Sequence, residues 1–375
     1  MKRVLFLRSN PVDPDPRVEK EAAALAEMGY EVKVLGWDRT GQSTRVVSAP
    51  FGVVERIPLR ARFGAGLRNL PGLLRFQLAL AAYLFRNRKA YDVIHACDFD
   101  TALTGYFLGR LLGKRVIYDV FDFYAEMLRK TPSWLKSMVR ALDLKLMGWV
   151  DAVILADESR VEQVRGAKPK RLAFIYNVPD IPSLPPLPPD PPPLRIAYVG
   201  LLQVERGILE VLKILEKHRD WELDLAGFGG DEARILEIAK RLPNVRFHSR
   251  VPYERALELA ANAHVLFATY DPAIPNHRYS SANKLFEAMA LGKPIVVARG
   301  TGMDKLVHQE KIGFIVTYGN LDEIEKAFLE VASWDRQARQ AFARRVRTLY
   351  ESKFSWSIMK EELRRLYNLI LGEPC

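Results

Sequence analysis

The chain has 375 residues, roughly twice a typical domain, so two domains are expected; its 49% apolar content supplies two cores. No apolar run approaches the ~18 residues of a spanning helix, which excludes helical membrane spans. Two cysteines, Cys97 and Cys375, exclude a disulfide framework and fit a reducing cytoplasm, the six histidines lack HxxxH or CxxC spacing and give no metal signal, and the net charge of +11 implies an anionic partner.

The N-terminal MKRVLFLRSN is too short in apolar residues for a signal peptide and reads as a first strand over Val4 to Leu7. Asp15-Pro16-Arg17 opens an amphipathic helix from Arg17 to Met28, with Asp15 as its cap and Arg17 either solvated or pointing into a cleft. Strands follow at Glu31 to Leu35 and Val53 to Ile57. From Arg56 to Ala90 there is no acidic residue, while Arg56, Arg60, Arg62, Arg68, Arg75, Arg86, Arg88 and Lys89 are interleaved with apolar residues. Such a cationic, apolar, helical segment suits an anionic membrane surface. Nucleic acid competes as the partner, but no recognition motif supports it, and a core helix with basic ends is the plainer reading. Val93 to His95 is a strand, Thr101 to Leu112 a helix, Arg115 to Tyr118 a strand, and Ser133 to Trp149 a second basic amphipathic helix. Ala152 to Leu155 and Leu172 to Ile175 complete a doubly wound, parallel α/β half.

Residues 179–193, PDIPSLPPLPPDPPP, are too rich in proline for helix or interior strand and read as a stiff linker. The same alternation then restarts. Leu194 to Val199 is a strand ending at Gly200, and a helix runs from about Glu205 to Lys217 with Arg206 at its start. Leu223 to Ala226, Val245 to Phe247 and Val265 to Ala268 are strands, with helices at Glu232 to Arg241 and Tyr253 to Ala261 between them. The stretch from Asn276 to Val297 reads as a polar loop, a helix beginning near Ala282 and capped by Ser280 or Ser281, a turn at Gly292 and a buried strand. After Phe314 to Val316 come helices at Leu321 to Val331, Arg336 to Tyr350 and Trp356 to Leu371.

Two helix starts in this half carry cations, Arg206 and Lys284, and a helix start with unpaired N–H groups suits a phosphate. Glu287 lies one turn beyond Lys284, where a carboxylate accepts hydrogen bonds from a ribose diol or merely pairs with the lysine. Together they suggest a nucleotide diphosphate.

Nearly end to end, the chain resembles the retaining family 4 (group 1) glycosyltransferases of the GT-B fold. NKLFEAMALGKPIVV resembles the helix carrying the second glutamate of that family's E-x7-E motif, and YVGLLQVERGILEVLKIL its glycine turn with a basic residue. DPRVEKEAAALAEMGYEVKVLGW, YDVIHACDFDTALTGYFLGRLLGKRVIYD and FSWSIMKEELRRLY resemble first-domain segments and the C-terminal helix. The resemblance implies an α/β fold with two Rossmann-like domains facing a cleft. Residues 1–178 would form the acceptor side, 179–193 the linker, 194–352 the nucleotide-sugar domain, and 353–375 the helix crossing back to the first domain. It implies that Glu287 holds the ribose, that Arg206 and Lys284 face the diphosphate, and that N–H groups around Ser281, Ala282, Asn283 and Lys284 bind phosphate oxygens. Gly200 would admit the phosphate, Val251 would lie against the base, and the segment with Asn276 and Tyr279 would approach the sugar.

Three positions depart from the family pattern. The first motif glutamate is Tyr279, the arginine expected after Gly200 is Leu201, and the histidine expected in a YDxHE pattern is Phe121. His95, Asp98, Asp119 and Asp122 remain as polar groups at that sheet end; Asp98 or Asp122 would orient an acceptor hydroxyl, with Asp15, Arg17 and His95 nearby. The expected function is metal-independent, cofactor-free transfer of a hexose from a UDP- or GDP-linked donor, with retained configuration, to a lipid-linked or polysaccharide acceptor. The expected place is the cytoplasmic face of an anionic membrane. An inactive nucleotide-sugar-binding scaffold and a nucleotide-sugar epimerase of the same fold are the alternatives.

Overall fold

Short, unbroken apolar runs such as Val93–Cys97, Ala152–Leu155, Val265–Ala268 and Ile295–Ala298 are buried along their whole length, as strands covered by helices on both faces must be. The computed structural model describes residues 1–61, 69–128, 131–280 and 283–372. The chain divides into two units, Met1–Tyr176 with Met359–Cys375, and Asn177–Ile358.

The first unit contains β1 (Arg3–Leu7), α1 (Pro16–Glu27), β2 (Glu31–Asp38), β3 (Val46–Ala49), β4 (Gly52–Pro58), α2 (Leu70–Arg86), β5 (Val93–Cys97), α3 (Phe99–Leu111), β6 (Arg115–Val120), α4 (Tyr124–Met127), α5 (Ser133–Trp149), β7 (Ala152–Leu155), α6 (Arg160–Gln163) and β8 (Leu172–Phe174). Its strands lie in the order β3-β4-β2-β1-β5-β6-β7-β8, parallel except for the β3–β4 pair. The order reverses direction at β1, between β2 and β5, so the switch point lies at the carboxyl ends of β1 and β5.

The second unit contains β9 (Leu194–Leu201), α7 (Ile208–Lys217), β10 (Trp221–Phe228), α8 (Glu232–Ala239), β11 (Val245–Phe247), α9 (Tyr253–Ala261), β12 (Val265–Ala268), α10 (Pro275–Arg278), α11 (Asn283–Ala290), β13 (Ile295–Ala298), α12 (Gly302–Glu310), β14 (Gly313–Val316), α13 (Leu321–Ser333) and α14 (Arg336–Lys353). The strand order is β11-β10-β9-β12-β13-β14, all parallel, with its switch point between β9 and β12. The proline-rich stretch is held within this unit: Tyr350 donates to the Pro179 carbonyl, and Arg347 donates to the Ile181 carbonyl at 2.7 Å.

The last helix, α15 (Trp356–Leu371), returns to the first unit. Tyr367 meets the buried ring of His95, its hydroxyl 2.9 Å from Nδ1; Lys360 donates to Glu27 at 2.8 Å. No helix among the described residues is long and apolar enough to cross a membrane.

Several local expectations change. Arg56, expected in the basic surface segment, is buried in β4 and donates to the carbonyls of Pro11, Thr44 and Val12, because a guanidinium can satisfy several main-chain acceptors at once. The helix expected from Glu205 begins only at Ile208; Gly207 adopts φ +74° after a 3-10 turn over Val204–Arg206. A Cβ at Gly207 would stand 1.9 Å from Thr269 Oγ1, so glycine is required there. The edge strand β3 and the crossover helix α12 add to the expected elements; β3 is mostly exposed and lacks an apolar alternation. Arg62, Arg68, Ser281, Ala282 and Cys375 lie outside the described residues.

Replacing Tyr367 by Phe leaves the buried His95 Nδ1 without its partner, a loss of ~1–3 kcal/mol. The thermal midpoint should fall by at least ~2 °C; an unchanged midpoint would show that this bond does not hold α15.

Candidate functional site

The polar residues of the second unit gather at the carboxyl ends of β9 and β12. Gly200 closes β9 with φ +150°, and a Cβ there would stand 2.5 Å from the Lys284 ammonium. The glycine therefore leaves room for a lysine that reaches back from the start of α11. Lys284 Nζ lies 4.6 Å from the Tyr198 ring centroid and 3.5 Å from the Tyr270 hydroxyl. The Arg206 guanidinium stacks on Tyr270 at 4.5 Å and donates through Nε to Gln203 at 3.0 Å.

Two cations thus bracket one buried phenol. Among the described residues, neither Arg206 nor Lys284 pairs with a carboxylate. Burial pushes the Tyr270 phenol up, but Lys284 and Arg206 outweigh it and hold the group below the usual tyrosine range. Tyr198 goes the other way: burial raises its phenol, which donates to the Leu201 carbonyl at 2.8 Å. The aromatic walls fix both cations by cation–π contact while leaving their charge uncompensated. An arrangement of this kind attracts an anion with several oxygens.

Glu287 is half-buried one turn along α11 and accepts from the Tyr253 hydroxyl at 3.1 Å. Asn283 accepts from Asn177 at 2.8 Å. Val251 is half-buried beyond β11, where the Ser249 carbonyl accepts from Gly227 N–H at 2.8 Å. Asn276 lies on the short α10, and Tyr279 follows it with the Arg278 guanidinium 5.9 Å from its ring centroid. The loop after β12 is tied to the Arg206 turn by Asp271 N–H donating to the Glu205 carbonyl at 2.9 Å. Gly200, Arg206 and Lys284 are thereby brought together. Tyr198, Tyr270 and Gln203, which support the two cations, escaped the sequence reading. Tyrosines at the ends of two strands flanking a glycine turn were the available signal.

In the first unit, Asp98 and Asp15 share Arg8, which donates to both. Asp98 also accepts from the N–H groups of Phe121 at 3.0 Å and Asp122 at 3.2 Å. Burial pushes the Asp98 carboxyl up to about 6, against the pull of Arg8. The Phe121 ring lies 4.2 Å from the Arg8 guanidinium and 4.8 Å from that of Arg17. Asp122 is half-exposed and accepts from Arg160 at 3.2 Å. Asp15 caps α1.

Arg17 and His95 stand deeper than a cleft position allows. Arg17 donates to both Asp119 oxygens, at 3.2 and 2.9 Å, and to the Ile175 carbonyl at 2.7 Å. His95 Nε2 lies 3.4 Å from Glu21 and 3.6 Å from Asp119, and burial lowers the imidazole while raising the Glu21 carboxyl. The donor atoms of His95, Cys97 and Asp119 lie within 4.8 Å of one another, but Arg17 already occupies both oxygens of Asp119. That set fits an internal ion-pair network better than a metal centre.

A glycosyl transferase 4-like domain model matches residues 14–178, and a glycosyl transferases group 1 model matches residues 193–333. The capsular polysaccharide biosynthesis glycosyltransferase CapM of Staphylococcus aureus is 27% identical over 187 residues, 48% of this chain and 47% of that protein, so the match spans about half of this relative. Sucrose-phosphate synthase of Thermosynechococcus elongatus superposes with a TM-score of 0.80 at 16% identity, covering 99% of this chain and all of that one, 100%. HepE of Anabaena, solved in complex with UDP and glucose, superposes with a TM-score of 0.69 at 16% identity over 98% of this chain and 100% of its own. The fold is therefore GT-B, built from two Rossmann-like domains, and the chain belongs to the family 4-like, group 1 glycosyltransferases.

Proposed function

We propose that the protein transfers a sugar from a nucleotide-diphosphate sugar to a saccharide or lipid-linked acceptor with retention of anomeric configuration. The observation that carries this reading is the pair of cations, Arg206 and Lys284, held against Tyr270 and, among the described residues, paired with no carboxylate. Breaking the bond between the anomeric carbon and the diphosphate oxygen moves negative charge onto the leaving group. Fixed cations stabilise that charge more in the transition state than in the ground state. The acceptor oxygen bonds to the anomeric carbon on the face that the phosphate leaves, and its proton passes to a departing phosphate oxygen. Two side-chain cations supply the charge neutralisation, so the reaction is read as metal-independent.

Glu287, one turn beyond Lys284, is read as the acceptor for the ribose hydroxyls, with Val251 against the base and Asn276 and Tyr279 towards the sugar. Asn283 lies at the start of α11, beside Ser281 and Ala282, which fall outside the described residues. The HepE complex with UDP and glucose favours a UDP-linked hexose donor, and the CapM relative favours a polysaccharide-type acceptor. Asp98 is read as positioning the acceptor from beneath, through its bonds to Arg8 and the 121–122 backbone.

Phe121 and Tyr279 favour a second reading, a nucleotide-sugar-binding scaffold without turnover, since neither side chain supplies the charge or proton that the family pattern places there. Nucleotide release with candidate donors and acceptors separates the readings: turnover supports transfer, binding without turnover supports the scaffold, and consumption of donor without acceptor supports an epimerase.

The first unit is read as resting on an anionic membrane at the cytoplasmic face. Leu74, Leu78 and Phe85 on α2, and Trp134 and Met138 on α5, are more than half exposed. Arg75, Arg86, Arg88 and Lys89 are exposed beside the α2 residues. An apolar face flanked by cations suits a headgroup layer.

Arg206→Ala and Lys284→Ala should each lower the transfer rate at least ~10-fold; full activity in both would remove the leaving-group role. Glu287→Ala should weaken nucleotide binding by about 10-fold, with a smaller effect on the free diphosphate; equal losses for nucleotide and diphosphate would argue against a ribose contact. In vesicle sedimentation the protein should bind anionic vesicles at low salt and release them as salt rises, with Leu78→Glu and Trp134→Glu reducing binding. Equal absence of binding to anionic and neutral vesicles would remove the membrane reading.

A further inference from the structure

Two tyrosines stand against the cations of the second unit, and their hydroxyls differ. Tyr198 donates its proton to the Leu201 carbonyl at 2.8 Å and so has reason to keep it. Tyr270, in the loop that leaves β12, donates to nothing among the described residues; its oxygen accepts from Lys284 Nζ at 3.5 Å. Tyr270 is 2% exposed. A buried hydroxyl proton without an acceptor is costly, and an oxygen that faces a fixed ammonium is better placed to accept than to donate.

The charges round Tyr270 are lopsided. Lys284 comes from α11, and the Arg206 guanidinium lies over the ring from the turn after β9, 4.5 Å from its centroid. His277 of α10 has its ring 5.2 Å away and its Nδ1 3.2 Å from the Asp271 carbonyl. The Asp271 carboxylate, next along the chain, accepts from the Ala273 N–H at 2.9 Å, and Glu205, beside Arg206, bears on Tyr198. Burial raises the Tyr270 phenol, and Lys284 and then Arg206 more than reverse that. The ring faces hold the cations without neutralising them; the phenol oxygen of Tyr270 is an atom that can neutralise them by losing its proton.

We propose that Tyr270 is a positioning residue that acts as an internal counter-anion: its phenol oxygen balances Arg206 and Lys284 before the donor arrives, and it takes up one proton when a nucleotide diphosphate replaces it. The inference rests on the diphosphate reading for the identity of the incoming anion, and on the geometry of the phenol for the exchange. Phosphate oxygens engage both cations, and a phenolate left beside them would repel the ligand. Lys284 is half-buried and joins the phenol oxygen to water. An N–H bond of its ammonium breaks as the phenol O–H forms, and the amine then regains a proton from a buffer acid. One proton therefore leaves the buffer for each nucleotide bound. Affinity is full below the pH at which Tyr270 ionises in the free protein, and falls by up to ~10-fold per pH unit above it.

The test measures UDP binding to the full chain by calorimetry between about pH 7 and about pH 9, where the UDP phosphates are ionised, in buffers of different ionisation heat. Proton uptake by the wild type should rise with pH towards one per UDP, and the tyrosinate absorbance should fall on binding. Tyr270→Phe keeps the ring under Arg206; it should abolish the absorbance change and the pH-dependent uptake, and flatten the affinity across this range. A tyrosine with a purely structural role would instead weaken UDP equally at every pH. Without nucleotide, one tyrosine of the wild type should ionise below the rest. It should be missing from Tyr270→Phe and move up towards the ordinary range in Lys284→Met. Uptake undiminished in Tyr270→Phe overturns the inference, as does a wild type in which no tyrosine ionises early. Failure of the wild type to bind UDP overturns the diphosphate reading instead, while the titration without nucleotide still decides Tyr270.

Discussion

A parallel strand cannot turn straight back to its neighbour; the chain must cross over the sheet, here through a helix, before the next strand begins. Among the described residues every strand pair but β3–β4 is parallel, so loops leaving the parallel strands emerge along one edge of each sheet. Where the strand order reverses, two adjacent loops part and leave a crevice. In the second unit that happens between β9 and β12, and Gly200, Arg206 and Tyr270 all come from those two strand ends. In the first unit it happens between β1 and β5, and Arg8, Asp98 and Asp100 come from there. The placement of charge follows from topology before any individual side chain is considered.

Charge is handled differently in the two places. Arg17, Asp119, Glu21 and His95 are removed from water and compensate one another, with Tyr367 closing the network from α15. Such a cluster adds little net stability, because desolvation offsets the Coulomb gain, but losing one member would strand the others. Among the described residues, Arg206 and Lys284 have no such compensation. Aromatic faces hold them instead, and aromatic faces neutralise nothing. The first arrangement is suited to holding a helix in place, the second to receiving an anion.

Much of this was legible in the sequence. Continuous apolar runs marked the parallel strands, and the bounds of α5 and α15 coincide with their amphipathic stretches at Ser133–Trp149 and Trp356–Leu371. The pairing of Arg206 with Lys284 followed from two basic helix starts. What escaped were features that only three dimensions create. Arg56 looked like one more surface cation, because nothing local shows that three carbonyls converge on it. Tyr198 and Tyr270 were not singled out in the sequence; both are buried, yet Lys284 meets the ring of the first and the hydroxyl of the second. Arg17 and His95 looked available at a sheet end until their partners, far apart in sequence, closed round them.

Phe121 stands where the family resemblance leads one to expect a histidine, and its ring lies within cation–π distance of two guanidiniums, those of Arg8 and Arg17. The face of a neutral ring draws both cations inwards and lets them approach. A protonated imidazole in the same place would add a third positive charge beside two guanidiniums whose carboxylate partners, Asp15 and Asp98 for Arg8 and Asp119 for Arg17, are already engaged. The sheet end is therefore electrically tuned to a ring that never gains a proton. Any chemistry that depends on a proton coming and going at position 121 is closed to this protein.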